Sequence, residues 1–224
     1  MNEQKAITSS KDLGIAVEHI VREEYEMIIL KKLFGSELGK VFVFKGGTAL
    51  RLAYDSPRFS EDLDFSVIGE FDKKELDILL KSVVEQSKSL TLVETRQKKY
   101  TYFALFKIKE SYIKQSLSIK FEASIRSENW GKEKDYKLQT LNSRVTNLTV
   151  LAQVATLNRL EKDKKGIPSF RIRDVFDLWF IGQKLNKPKS MDFSNWEAKT
   201  VKRELHKFLG FKDRRLIDQW LLKD

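Results

Sequence analysis

The stretch FVFKGGTALRLAYDSPRFSEDLDFSV, residues 42–67, constrains this chain more than any other. Val41 to Phe44 is an apolar run that ends in Lys45-Gly46-Gly47-Thr48, and Ala49, Leu50, Leu52 and Ala53 then recur at helical spacing. The pattern predicts a strand, a tight glycine turn, a short helix, a loop and a second strand. A glycine turn that opens a helix presents backbone N–H groups, and the positive end of the helix dipole favours an anion there. Asp62-Leu63-Asp64-Phe65 follows. Strand side chains alternate, so Asp62 and Asp64 share one face and Leu63 and Phe65 the other. Adjacent carboxylates repel each other, and a divalent cation such as Mg²⁺, which takes oxygen ligands, relieves the repulsion. An anion cradle beside a carboxylate pair points to nucleotide chemistry.

The rest of the composition fits a globular protein. The 224 residues, 41% hydrophobic and 11% aromatic, make one large domain or two small ones. A net charge of +10 suggests a polyanionic partner, nucleic acid above all, although a lysine-rich solubilising surface gives the same number. The absence of cysteine excludes disulfides and thiolate metal sites and suits the cytoplasm. The polar N-terminus does not read as a signal peptide, and no apolar run approaches the ~18 residues of a membrane helix.

Along the chain, Ser9-Ser10-Lys11-Asp12 opens one long amphipathic helix or two, running to residue 34, in which His19 reads as structural. A further helix is expected from Asp72 to Lys88, then strands over Leu90–Lys98 and Tyr100–Lys109. In Leu117 to Arg126, Leu117, Ile119, Phe121, Ala123 and Ile125 form an apolar face, and Ser118, Lys120, Glu122, Ser124 and Arg126 a polar one. Lys120 and Glu122 read either as functional groups or as a solvated pair. Ser127 to Asn142 is polar and aperiodic, which puts a boundary between domains at 1–127 and 128–224. Beyond it the expectation is helical: one helix on Leu148, Leu151, Ala152, Ala155 and Leu157, a charged loop from Glu161 to Ser169, and helices over 170–185, Ser194–Phe208 and Asp213–Leu222. Asp174 and Asp177, three apart at the start of one of these, share a face, as ordinary first-turn carboxylates often do.

The D-x-D begins fifteen residues after Gly47, and the fuller wording is KGGTALRL followed by R-x-S-E-D-L-D-F. This resembles the AbiEii/AbiGii family of abortive-infection toxins, within the DNA polymerase β-like nucleotidyltransferase superfamily. Arg171-x-Arg173-Asp174-x-x-Asp177-Leu178 is similar to the family's second block. Upstream of it the family has a lysine in a K-x-x-A-L pattern. The best match here is Gln153-Val154-Ala155-Thr156-Leu157, with Lys162, Lys164 and Lys165 as nearby substitutes.

The resemblance implies an α+β (α/β) fold, with a small mixed sheet flanked by helices in the nucleotidyltransferase domain and a helical C-terminal domain after it. It implies transfer of NMP from an NTP to an acceptor hydroxyl, with RNA, in particular a tRNA end, as the acceptor. Such a toxin belongs to a toxin–antitoxin or abortive-infection system and is controlled by a separate antitoxin. Asp62, Asp64 and Glu122 would be catalytic and would hold Mg²⁺ or Mn²⁺. Gly46, Gly47, Thr48, Arg58, Ser60, Lys120, Asp174 and Asp177 would contact the nucleotide. Two other readings stay open: transfer to a small molecule or a protein hydroxyl, and a catalytically weak relative that binds nucleotide or RNA.

Overall fold

The structure is a computed structural model that describes residues 1–85 and 87–221. Helix α1 (Glu3–Leu13) starts where the Asn2 side chain accepts the Lys5 N–H at 2.9 Å, and it ends at Gly14, whose φ of 60° is left-handed. The expected helix start at Ser9–Asp12 is therefore the end of α1. Gly14 breaks the run because it is the residue that takes the left-handed turn cheaply. The apolar periodicity continues in α2 (Val17–Phe34), and a 3₁₀ turn (Glu37–Val41) leads into β1 (Phe42–Lys45).

The glycine unit then folds as expected, with α3 (Gly46–Tyr54) and β2 (Asp62–Val67). Helix α4 (Lys73–Val84) is capped by the Asp72 carboxylate and stops short of Lys88; Gln86, inside the expected helix, lies outside the described residues. Strands β3 (Leu90–Lys98), β4 (Thr101–Ile108) and β5 (Leu117–Ser124) follow.

The expected helix over Leu148–Leu157 is a strand instead. β6 (Tyr136–Asn142) and β7 (Thr149–Ala155) form a hairpin, and β7 joins β1 in parallel, Phe44 opposite Val154. The physical reason is burial at alternate positions, since Val150, Ala152 and Val154 are in the core while Leu151 stays exposed. The expected aperiodic stretch Ser127–Asn142 is irregular chain only as far as β6, which takes up its end, and the helical part begins only with α5 (Leu157–Lys165). That helix also takes up half of the expected Glu161–Ser169 loop. It is followed by α6 (Ile172–Lys184), α7 (Ala198–His206) and α8 (Phe211–Leu221); Leu222, the expected end of the last helix, lies outside the described residues.

The seven strands form one mixed sheet in the order β3-β4-β5-β2-β1-β7-β6. β2–β5 and β1–β7 are parallel, and the other pairs are antiparallel. Below the sheet, α1, α2 and α4 cover an aromatic core. Phe65 packs 4.5 Å from Phe121, 5.4 Å from Phe44 and 5.8 Å from Phe42, centroid to centroid. Each such ring contributes about 1.5–3 kcal/mol through burial. His19 lies in the same region between Phe59 and Phe208, and burial, with Arg22 next to it, lowers its pKa to about 4, so it is a neutral packing residue.

Above the sheet, Val43, Leu50 and Ala155 pack against Leu160, Phe180 and Ile181, so α3, α5 and α6 roof the β1 side. A second helical core joins α6, α7 and α8. The upper face of β5, β4 and β3 is left open, and the roof edge over β2 forms a cleft. No helix among the described residues is long and apolar enough to cross a membrane.

Candidate active site

The cleft has a volume of about 460 Å³ and is lined from the sheet by Lys45, Gly46, Gly47, Arg58, Ser60, Asp62, Asp64, Lys120 and Glu122. Strand register explains the gathering. Lys45 on β1 stands opposite Asp64 on β2, Asp64 opposite Glu122 on β5, and Asp62 opposite Lys120. Residues directly opposite on paired strands project to the same side. The three expected catalytic carboxylates therefore open into one cleft.

The glycine turn packs tightly against them. Gly46 has a φ of 82°, and a Cβ there would run into the Asp64 carboxylate. A Cβ on Gly47 would lie 2.5 Å from Arg58 Nη2 and 2.8 Å from Ser60 Oγ. Backbone, carboxylate, guanidinium and hydroxyl can meet here only because two side chains are missing.

Burial pushes the Asp64 carboxyl up to about 6, and the neighbouring Asp62 and Glu122 carboxylates push the same way; Lys45 and Lys164 pull against them. This is a surplus of negative charge at one point of the cleft. Among the described residues, however, no three acidic or histidine side chains form a ready-made cation cage. The carboxylates share a face without closing around a single point.

The roof side is an ionic clamp. Arg58 forks onto Asp177, Nε to Oδ1 and Nη2 to Oδ2, both at 2.8 Å. Lys164 on α5 bridges Asp174 at 3.0 Å and Asp177 at 2.7 Å, and Arg171 reaches Asp174 at 2.9 Å. Both aspartates are fully buried. Burial alone would raise them, but the cations prevail: Arg171 and Lys164 hold Asp174 well below the usual carboxylate range, and Arg58 and Lys164 do the same for Asp177. Three cations on two carboxylates leave the roof positive toward the cleft.

This clamp separates the expected nucleotide contacts by position. Gly46, Gly47, Ser60 and Lys120 face the cleft openly. Arg58 lines it with its fork already occupied, and Asp174 and Asp177 border it as anchors for cations. Thr48 is not in the lining: its buried hydroxyl donates to the Asp62 carbonyl at 2.5 Å and ties α3 to β2. Glu61, close to Arg58 in the chain, pairs with Arg22 at 3.1 Å. Gln153 lies on β7 and donates to the Lys40 carbonyl at 2.6 Å, bracing the 3₁₀ turn; of the nearby substitutes Lys162, Lys164 and Lys165, Lys164 lines the cleft. Leu157, Leu160 and Lys164, at helical spacing, carried that signal inside a run that looked like a loop. Lys45, Arg171 and Arg173 also line the cleft; in the sequence they stand within the two motifs without an assigned role.

A glycine turn leading into a helix, with a D-x-D strand beside it in a mixed sheet flanked by helices, is the nucleotidyltransferase fold that the sequence resemblance implies. The chain belongs to the nucleotidyl transferase AbiEii toxin family of type IV toxin–antitoxin systems, whose profile matches residues 28–223. It is thus a nucleotidyltransferase toxin, and membership implies an NTP donor, as a rule a divalent cation, and an antitoxin partner. The fold is similar to that of JHP933 from Helicobacter pylori, with a TM-score of 0.57 and 21% identity over 84% of this chain and 73% of that one. It is also similar to MenT4, the nucleotidyltransferase toxin Rv2826c from Mycobacterium tuberculosis H37Rv, with a TM-score of 0.53 and 17% identity over 91% and 68% of the two chains. At these identities the likeness is one of fold. A search of curated protein sequences gave no significant match.

Proposed function

We propose that the protein transfers NMP from an NTP to the terminal hydroxyl of an RNA, with a tRNA end as the acceptor, in a cation-dependent reaction. The observation that carries this reading is the row Lys45, Asp64 and Glu122 on three neighbouring strands beside the Gly46–Gly47 turn. The acceptor oxygen forms a bond to the α-phosphorus, the bond from that phosphorus to the bridging oxygen breaks, and pyrophosphate leaves with the electron pair. The acceptor proton passes to a carboxylate of the cleft, for which Glu122 is exposed and on the open side.

Asp62, Asp64 and Glu122 offer oxygen ligands only, a set that suits Mg²⁺ or Mn²⁺; burial chiefly, and then the two neighbouring carboxylates, disfavour the charge on Asp64, and a cation would offset both. Such a cation supplies charge stabilisation and activates the hydroxyl. The chain's own groups do the rest. Gly46 and Gly47 let the phosphates approach the backbone, Ser60 donates to them, and Lys45, Lys120 and Lys164 neutralise their charge. Asp174 and Asp177 act as positioning residues, fixing Lys164, Arg171 and Arg58. In this division of labour the sheet holds the NTP while the helical C-terminal part supplies the cationic roof.

The net charge of +10 supports RNA as the acceptor. The absence of cysteine agrees with action in the cytoplasm, under control of the antitoxin. The test is transfer from radiolabelled NTPs to total RNA, protein and small-molecule fractions with Mg²⁺ present. Label should enter RNA and disappear in Asp64→Ala. Label confined to protein or to small molecules would refute the acceptor assignment.

A further inference from the structure

The site has a direction that its expected residues do not use. One row of paired residues crosses the upper face of the sheet: Lys45, Asp64, Glu122, Phe103 and Arg96, contributed by β1, β2, β5, β4 and β3 in turn. Its β1 end lies under the roof, and its β3 end is open. Lys107, Lys120 and Lys98 on this face are exposed, as is Arg96, whose guanidinium lies over the Phe103 ring at 4.9 Å from the centroid. Glu94, beside Arg96 at 3.0 Å, is the one acidic partner on β3 among the described residues. At the tip of the same hairpin, Tyr100 is 47% exposed, with Lys99 and Arg126 at 5.1 and 5.7 Å from its ring.

In-line displacement puts the entering hydroxyl and the leaving pyrophosphate on opposite sides of the α-phosphorus. If the glycine turn after β1 holds the phosphates, the acceptor enters from the β5 side, over β4 and β3. We propose that this bare face is the acceptor-docking surface and that it takes the single-stranded end of a polynucleotide. Arg96, lying over the buried Phe103 ring, forms the first stacking platform beyond Glu122, and Lys98 and Lys107 meet the phosphate backbone. Stacking on flat cation–aromatic pairs within a positive track is how single strands are held without sequence readout. The charge complements a polyanion, and the face is continuous with the cleft, which is why a nucleic-acid strand is the occupant and not a second protein.

This inference rests on the RNA-acceptor reading above, and the experiment separates the two. The double variant Arg96→Ala/Lys98→Ala changes exposed residues on an edge hairpin, and Lys31→Ala, exposed on α2 on the far side of the sheet, is the charge control. KM for RNA and for NTP are measured separately, and binding of a short fluorescein-labelled single-stranded RNA is followed by anisotropy against salt. The double variant should raise the RNA KM roughly fivefold or more, with NTP KM and kcat unchanged. Its salt slope should be shallower by about 0.7 for each phosphate that is no longer neutralised. Lys31→Ala should match wild type. If wild type labels RNA and the double variant has an unchanged RNA KM, the docking surface is wrong and the acceptor reading stands. If wild type labels only protein or small molecules, both fail.

Discussion

Asp64 carries a charge that the fold does not welcome, and this can be measured without any substrate. Its carboxyl rises from 3.8 to about 6, chiefly through burial and then through Asp62 and Glu122. That rise is worth roughly 3 kcal/mol at about 1.4 kcal/mol per tenfold, and water in the cleft screens it to about 2 kcal/mol. Asp64→Asn removes the charge and keeps the shape. For a domain of this size, about 2 kcal/mol is ~4–8 °C in Tm.

The pH dependence follows from the direction of the shift. Between about 4 and about 6 the folded protein holds this proton more tightly than the unfolded chain, so stability falls as pH rises through that window. The penalty is complete above it and absent below it. Thermal melts in EDTA should therefore show Asp64→Asn several degrees more stable than wild type at pH 8 and equal to it near pH 3.5. Adding Mg²⁺ at pH 8 should raise the wild-type Tm and leave that of Asp64→Asn nearly unchanged. If Asp64→Asn melts at or below wild type at pH 8 in EDTA, the Asp64 charge carries no cost in this cleft and the cation argument loses its basis.

Three further outcomes test the rest of the site. Lys164→Ala should cut NTP transfer by at least ~100-fold, the scale of removing one charge that stabilises a transition state, whereas Gln153→Ala should leave kcat/KM for NTP within about twofold and cost only the ~1 kcal/mol of its hydrogen bonds to the 3₁₀ turn, seen in denaturant melts. Gly46→Ala should fold with a penalty of about 1–2 kcal/mol for its left-handed backbone and lose ~100-fold or more in activity as Asp64 is displaced. Asp177→Asn should lower stability by about 3 kcal/mol, the low end for breaking a buried pair because Lys164 keeps Asp174. A Tm change under about 2 °C, against the ~6–12 °C expected of such a loss, would show the clamp to be unimportant.

The sequence on its own determined the parts of this protein that are local in chain and chemistry. The strand–glycine turn–helix–strand unit of residues 42–67, the shared face of Asp62 and Asp64, and the alternation that puts Lys120 and Glu122 opposite the core all follow from short-range periodicity and turn chemistry, and the folded chain keeps them. Tertiary structure alone decided whether 149–155 is strand or helix, because Leu148, Leu151, Ala152 and Ala155 fit a helical period while Val150, Ala152 and Val154 fit an alternating one, and pairing with β1 selects the second. It alone decided that Lys164, rather than position 153, reaches the cleft. It also decided that Arg58 and Asp177, 119 residues apart, share a buried fork. The physical reason is the same in each case. Backbone geometry and side-chain alternation act over a few residues, while burial and charge pairing depend on which distant segments the sheet brings together.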